Sequence, residues 1–321
     1  MWKPLFALCL ACLNCTILDS LAQPYPAKPI RMVVGFAAGG ATDATARMVS
    51  QKLSEQLGQP VVVENRTGAG GSIATERVAT SPADGYTLLL MPASGAIDSA
   101  LRAKLPYDLE RDFAAVSLVV IGAYVLVVHP SVPARNVSEL TALARTRPGK
   151  LNYGSAGIGS TMHLAAELYK LMAKVEVVHV PYKGGADSVV ANAAGQVDMS
   201  FPTLTTAVPL INAGKLRALA VTTAKRASLA PEIPTLDESG LKGYDRNGWF
   251  GVLAPGGVPK DIVGRLNAVI AKAVNTPEMK ESLARQGFEP QTGTPEEFAA
   301  LIRGEIATNK KLIRLAGIKA E

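Results

Sequence analysis

The stretch "IRMVVGFAAGGATDATARM", residues 30–48, decides the fold, because it indicates a buried strand that runs through a glycine turn into a helix. Its glycines, Gly35, Gly39 and Gly40, fit neither the dinucleotide motif G-x-G-x-x-G nor the phosphate-loop motif G-x-x-x-x-G-K-[ST]. The pattern therefore indicates a general anion-binding site without a nucleotide motif. A sharp turn into a helix leaves N–H groups unpaired at the positive end of the helix dipole, and glycines let a ligand approach that backbone closely.

Strands and helices alternate through the first part of the chain. A helix is predicted over 42–57, with Gly58 ending it, and a second helix over 72–79. Apolar runs on either side, "PVVVEN" at 60–65 and "YTLLLM" at 86–91, have the composition of strands. Strands joined by helices predict a parallel sheet covered by helices.

The same alternation restarts at "YVLVVHP", residues 124–130, and continues to about residue 223. Within it, "KLNYGSAGIGSTMHLAAEL", residues 150–168, is a second strand, glycine turn and helix. This turn carries three glycines and three hydroxyls, namely Gly154, Gly157, Gly159, Ser155, Ser160 and Thr161. Ligands of open α/β folds bind at the carboxyl ends of the strands. Two such turns that face each other would hold both ends of one small anion.

Composition and motifs exclude several other classes of function. The 33 basic and 27 acidic residues are scattered and only 5% of the chain is aromatic, which argues against nucleic-acid binding. The serine hydrolase motif G-x-S-x-G fails because Tyr153 stands where its first glycine belongs. The histidines, His129, His163 and His179, lack the spacing of a metal site. We therefore expect no catalysis, no metal and no cofactor.

The first 22 residues have the pattern of a secretory signal. Lys3 precedes the apolar run "LFALCLACL", and Ser20 and Ala22 are small residues at the cleavage positions. Cleavage after Ala22 would leave a mature periplasmic chain without cysteine, because all three cysteines, at positions 9, 12 and 15, lie in this segment. A lipoprotein signal is the alternative, although no cysteine has the expected leucine three residues before it.

From about Tyr25 almost to its end, the chain resembles the tripartite tricarboxylate transporter substrate-binding proteins, also called the Bug (Bordetella uptake gene) family. The motifs that carry the resemblance are "YPAKPIRMVVGFAAGGATDATAR", "VVVENRTGAGGSIATERVATSPADGYTLLL", "LNYGSAGIGSTMHLAAELY", "VPYKGGADSVVANAAGQVDMSF", "INAGKLRALAVTTAKR", "EIPTLDESGL" and "WFGVLAPGGVP". The resemblance implies an α/β fold of the type II periplasmic binding proteins. Each of two lobes would be a mostly parallel sheet flanked by helices, and two strands would form the hinge.

The resemblance also implies a function and a division of the chain. A di- or tricarboxylate, or a similar organic acid, would bind between the lobes and pass to the integral-membrane permease of a tripartite tricarboxylate transporter. A soluble module that presents a carboxylate to a membrane signalling receptor would have the same sequence features. We expect a monomer in which lobe 1 comprises 23–124 plus 224–321 and lobe 2 comprises 125–223, with crossovers at "YVLVVHP" and "LAVTTAK".

The family holds its carboxylate largely through backbone N–H groups and bound water. Carried over to this sequence, the resemblance implies contacts from Phe36, Ala37, Ala38, Gly39, Gly40 and Asp43 in lobe 1, and from Ser155, Gly157, Ser160, Thr161 and His163 in lobe 2. Secondary candidates are Ser94, Ala186, Asp187 and Phe201. The loop "PASGAIDSAL", residues 92–101, departs from the pattern with Asp98 where many members carry asparagine.

Several of these candidates also have a purely structural interpretation. Asp43 and Ser160 stand where acids and hydroxyls commonly cap helices. Lys183 has the composition of a solvated lysine, since lysine is rarely buried. Trp249 fits packing near the hinge better than stacking on a ligand. The sequence leaves the capping and ligand-binding roles of Asp43 open.

Overall fold

A computed structural model describes residues 25–319, so the predicted signal segment and its cysteines lie outside the described residues. The first run of elements is β1 (Ile30–Val34), α1 (Ala41–Leu57), β2 (Val61–Asn65), α2 (Ser72–Ala79), β3 (Thr87–Pro92), α3 (Ser94–Leu101) and β4 (Phe113–Gly122). The second run is β5 (Val125–Val128), α4 (Val137–Thr146), β6 (Asn152–Ser155), α5 (Thr161–Ala173), β7 (Val178–Pro181), α6 (Gly185–Ala193), β8 (Met199–Ser200), α7 (Leu204–Asn212) and β9 (Arg217–Val221). The last run is β10 (Gly248–Pro255), α8 (Lys260–Val274), α9 (Pro277–Arg285), β11 (Phe288–Pro290) and α10 (Pro295–Ala316).

The strands form two sheets, each flanked by helices, as the two-lobed α/β fold requires. The first sheet has the strand order β11-β4-β10-β3-β1-β2, and the second has the order β7-β6-β8-β5-β9. β1 pairs in parallel with β2 and β3, and β6 pairs in parallel with β7 and β8. The predicted strand, helix and strand units are therefore present in both lobes, and the fold class is confirmed.

Both sheets are mixed, and in each most strands run in one direction, as expected: four of six in the first sheet and four of five in the second. β10 and β11 run against the rest of the first sheet, and β5 runs against the rest of the second. The direction of β5 and β10 follows from the point at which the chain enters each lobe. β5 and β10 begin where the chain crosses between lobes, so they start at the edge where the parallel strands end and must run in the opposite direction.

The segment between β9 and β10, which the prediction placed in lobe 1, packs against elements of the second sheet. Leu236 and Tyr244 belong to the core around β6 and α5, and the Tyr244 hydroxyl donates to the Ala165 carbonyl oxygen at 2.8 Å. The Arg246 N–H donates to the Thr222 carbonyl oxygen at 2.9 Å. These contacts favour a second crossover at 246–248 over one at "LAVTTAK". The stretch lacks helical or strand periodicity, which is why its sequence resembles a linker.

Helix α10 contacts both lobes, although the prediction assigned it wholly to the first. Its amino-terminal half covers the first sheet, where Gly251 of β10 leaves no room for a Cβ beside the Phe298 ring. Its carboxyl-terminal half places Leu312 and Ile313 against Leu164 of α5. One helix thus joins the core of one lobe to the surface of the other.

We expect Leu236→Ala to lower the free energy of unfolding by about 2–5 kcal/mol, because it leaves a cavity in the second core. Leu229 lies in the same segment but is largely exposed, so Leu229→Ala should change stability by at most about 0.5 kcal/mol. Urea unfolding of both variants measures the difference. Equal effects would show that the segment is not packed on the second lobe.

Candidate functional site

A cleft of about 380 Å³ lies where the edges of the two sheets meet. The first lobe lines it with residues that follow β1, β3 and β4, and the second lobe with residues that follow β6 and β8. The residues at these strand ends are Phe36, Pro92, Gly122, Ala156 and Pro202. The volume lies within the range of small-molecule sites, roughly 300–1,000 Å³. The cleft therefore occupies the position where open α/β folds bind ligands.

Five helices begin at this cleft. The lining includes the first residues of α1, α3, α5 and α6, and the residues around the start of α7, namely Ala41, Thr42, Ser94, Ser160, Thr161, Gly185, Ala186, Thr203 and Thr205. The first N–H groups of a helix have no partner within it, and they carry the positive end of the helix dipole. Five such ends around one cavity form a site for an anion.

The electropositive character of the cleft comes from the backbone and not from side chains. Among the described residues, no Asp, Glu, Lys, Arg or His lines the cavity. Its polar side-chain groups are hydroxyls and the indole N–H of Trp249, which has no hydrogen-bond partner among the described residues, and its remaining walls are apolar. An anion in this cleft must therefore be held by N–H and O–H donors.

The first glycine loop lies at the start of α1. Phe36 lines the cleft, and the residues between it and Ala41, namely Ala37, Ala38, Gly39 and Gly40, are exposed. Gly39 has a φ of +84°, a conformation that favours glycine. Gly40 is the N-cap residue of α1, which has no side-chain cap. The amino end of α1 is thus open to an external acceptor.

Asp43 holds this loop from behind. Its buried carboxylate accepts hydrogen bonds from the Gly39 N–H, the Arg47 Nε and the Asn65 Nδ2, each at 2.9 Å. The Arg47 guanidinium and these other donors lower the pKa of Asp43 to about 2, although burial opposes them. Asp43 does not line the cleft. Its contacts favour the structural interpretation, in which it fixes the turn.

The second glycine loop lies at the start of α5. Ser160 caps the helix by accepting from the His163 N–H at 3.2 Å, and the Ser160 N–H donates to the Gly157 carbonyl oxygen. Ser160 and Thr161 line the cleft. Gly157 has a φ of +100° and shapes the turn without lining the cavity. Ser155 is fully buried, and its hydroxyl lies 2.6 Å from the His179 Nε2.

A stack of three rings supports this second loop. His163 stacks on His179 at 4.1 Å between ring centroids, and His179 stacks on Tyr153 at 4.8 Å. The His163 Nδ1 accepts from the Gly159 N–H at 3.1 Å, so the ring is neutral with its other nitrogen protonated. The Tyr153 hydroxyl donates to the Glu167 carboxylate, which also accepts from the Lys170 ammonium.

Burial lowers the pKa of His163 to about 3, and the neighbouring His179 and Lys170 add to this effect. Burial also lowers the pKa of His179. Both rings therefore stay neutral around pH 7 and serve to position the loop.

The predicted site residues divide into lining and supporting groups. Those that line the cleft are Phe36, Ser94, Ser160, Thr161 and Ala186. Outside the lining are Asp43, Ser155, Gly157, His163, Asp187 and Phe201, besides the exposed Ala37 to Gly40. Phe201 is wholly buried in the second core and Asp187 is exposed in the first turn of α6, so neither is presented to the cavity.

Other lining residues were missed from the sequence. They are Tyr124, Met162, Val189, Phe250 and Phe288. Tyr124, Phe250 and Phe288 lie at the starts of antiparallel strands, which no glycine motif marks. Trp249 lines the cleft and also packs edge-on against Phe298 at 5.5 Å, which agrees with the packing role expected for it.

Two searches of the described residues concern other classes of protein. No helix within 25–319 is both long and apolar enough to cross a membrane. In the same part of the chain, no group of three or more His, Cys, Asp or Glu side chains is arranged to hold a metal ion.

Comparison with known proteins identifies the family. The family model described as "Tripartite tricarboxylate transporter family receptor" matches residues 45–318. The chain belongs to this receptor family. Its members are substrate-binding receptors, which agrees with a cleft built for a small anion. BugT of Bordetella pertussis is 37% identical over 300 residues, or 93% of this chain and 92% of BugT.

Two solved structures of relatives contain carboxylates. An R. palustris protein solved with adipate is 38% identical, with a TM-score of 0.78 over 92% of this chain and 99% of that one. MatC from Rhodopseudomonas palustris, solved with bound malate, is 31% identical, with a TM-score of 0.74 over 90% of this chain and 100% of that one. The receptor thus shares its fold with proteins that bind small dicarboxylates.

The buried His163 makes stability depend on pH. The histidine pKa falls from 6.5 to about 3 on folding. Between these values the unfolded chain binds a proton that the folded protein does not, so stability is lost as the pH falls below about 6.5. We expect His163→Gln to reduce the slope of unfolding free energy against pH between about pH 5 and 6.5 by up to about 1.4 kcal/mol per pH unit.

Urea unfolding at several pH values measures this slope. His129→Gln is the matched control, because His129 bonds to Ser131 away from the ring stack. If His163→Gln and His129→Gln change the slope equally, His163 is not held neutral by its surroundings.

Proposed function

We propose that the chain is a periplasmic receptor that captures a small carboxylate between its lobes and delivers it to a tripartite tricarboxylate-type membrane transporter. The ligand class comprises di- and tricarboxylates and similar organic acids. One observation carries the proposal: five helices begin at a cleft whose lining, among the described residues, has no charged side chain. Relatives solved with adipate and malate support the same class.

The energetics require both lobes to contribute. Burying a carboxylate costs several kcal/mol per charge unless it is hydrogen-bonded. A single helix terminus supplies only about 0.3–2 kcal/mol, whereas each charge-assisted hydrogen bond contributes roughly 1.5–3 kcal/mol. Donors from the start of α1 and from the start of α5 must therefore act together, which favours binding with the lobes closed over the ligand.

The proposal also assigns residue ranges to the two lobes and a role to each glycine loop. Lobe 1 comprises 23–124 and the chain from about 247, and lobe 2 comprises 125–246, which follows the packing of the segment after β9. In the first loop, Ala37 and Ala38 present backbone N–H groups to the ligand, because the Gly39 N–H donates to Asp43 and the Gly40 N–H to the Ala37 carbonyl oxygen. Asp43 and His163 hold the two loops in shape. The role is binding without catalysis, metal or cofactor.

A thermal-shift screen of carboxylates tests the function. Ligand at about a hundred times its dissociation constant should stabilise the receptor by ~2.7 kcal/mol and raise the melting temperature by several degrees. Malate, adipate and citrate are the first probes, with glucose and ATP as controls. A shift from glucose or ATP, together with none from any carboxylate, would refute the proposal.

Ala186→Glu should abolish carboxylate binding without harming the fold. Ala186 is the second residue of α6 and is exposed in the cleft, and an acid is favourable in the first turn of a helix. The new charge would repel an anionic ligand, so we expect affinity to fall by at least about tenfold, or 1.4 kcal/mol. Ala186→Gln has nearly the same size and should lose much less. Calorimetric titration compares the two, and equal losses would contradict an anionic ligand.

Intact-mass measurement on the exported protein tests its localisation. We expect a chain that begins at Gln23 and contains no thiol, because cleavage after Ala22 removes all three cysteines. Retention of residues 1–22, or the added mass of a diacylglyceryl group, would overturn the assignment to the soluble periplasmic fraction.

A further inference from the structure

The walls of the cleft are apolar on both sides. In lobe 1, Phe36, Phe250 and Phe288 line it, and the rings of Phe250 and Phe288 lie 5.0 Å apart. In lobe 2, Met162 and Val189 face the same space. Apolar surface is stabilised by losing contact with water, and aromatic rings add favourable edge and face contacts with another ring. These walls suit a ligand with an apolar body.

The same walls suit a short, hydroxylated polyanion poorly. Citrate and malate carry charges or hydroxyls on nearly every carbon, so each part of the molecule needs its own donors. The donors of this cleft are the helix termini, the hydroxyls and the Trp249 indole N–H, and no cation lines it among residues 25–319. Polar groups pressed against the phenylalanine wall would lose water without a replacement partner.

Asp98 adds an electrostatic reason. It is the fifth residue of α3 and lines a small cavity that adjoins the cleft, because the two share Phe36, Pro92 and Ser94. Its carboxylate contacts the Arg102 guanidinium at a distance of 3.4 Å. A negative charge at this position opposes a second carboxylate at the same end of the cavity. Burial raises the Asp98 pKa, in keeping with a poorly solvated site.

We propose that this receptor selects carboxylates whose body is an aromatic ring or a similarly apolar group, in preference to hydroxylated polyanions such as malate and citrate. The inference rests on the proposed function and narrows its substrate class. The carboxylate meets the helix termini, and the body lies between the phenylalanine wall and Met162. The apolar walls determine specificity, because backbone donors recognise any carboxylate alike.

Calorimetric titration with four probes separates the effect of the ligand's apolar body on affinity from the effect of its charge. Terephthalate and malate are both dianions and differ in body, whereas benzoate and terephthalate share a ring and differ in charge. We expect terephthalate to bind at least about tenfold tighter than malate, and benzoate at least about tenfold tighter than citrate. Tighter binding of malate and citrate would overturn the inference and leave the proposed function standing. Failure of all four would count against both.

Two variants test the residues. Phe288→Leu keeps the wall apolar but removes a ring, so terephthalate should lose at least about threefold more affinity than malate. Asp98→Asn removes the opposing charge. The ratio of terephthalate affinity to benzoate affinity should therefore be at least about threefold higher in this variant than in the parent chain. Equal effects of Phe288→Leu on both ligands, or no change in the second ratio, would contradict the roles assigned to these residues.

Discussion

Binding the proposed anion without a cationic side chain is the constraint on which the rest of this site depends. The cleft offers backbone N–H groups at the starts of five helices, so those termini must stay at fixed positions. Both glycine loops solve this in the same way. The Gly39 N–H donates to Asp43, and the Gly159 N–H donates to His163, four residues later in each case and at the third position of the helix. These two side chains fix the shape of the loops that precede the helix starts, and neither lines the cleft.

The sequence predicts the parts of the site that are local. A strand, a glycine turn and a helix within twenty residues fix a helix terminus, so Ser160 and Thr161 could be placed at a helix start from the sequence, and the family resemblance added Phe36. Apolar lining residues such as Phe288 were not predicted, because their position in the cleft depends on strand pairing across the sheet. β4 and α3 were not recognised either: β4 continues into the apolar run of β5, and α3 begins at the "PAS" turn.

Capping and ligand binding use the same residue types, which is why the role of Asp43 stayed open at the level of sequence, while the resemblance implied a ligand contact for His163. The deciding facts are long-range contacts. Asn65 reaches Asp43 from β2, and His179 stacks on His163 from β7. The lobe on which the segment 223–246 packs also depends on long-range contacts, here those of Leu236 and Tyr244.

The proposed closure of the lobes would be absorbed at particular points of the hinge. Arg246 is buried and its guanidinium lies 3.3 Å from the Glu305 carboxylate of α10, so the second crossover is tied to that helix. Breaking such a buried pair is costly, about 3–5 kcal/mol, so the pair should move as one body. Gly122 and Gly248 are paired at the two crossovers and can absorb changes in backbone angles. The contact of Leu312 and Ile313 with Leu164 must slide when these angles change. A ligand closes the lobes only by binding the closed arrangement better, and donors from both lobes provide that difference.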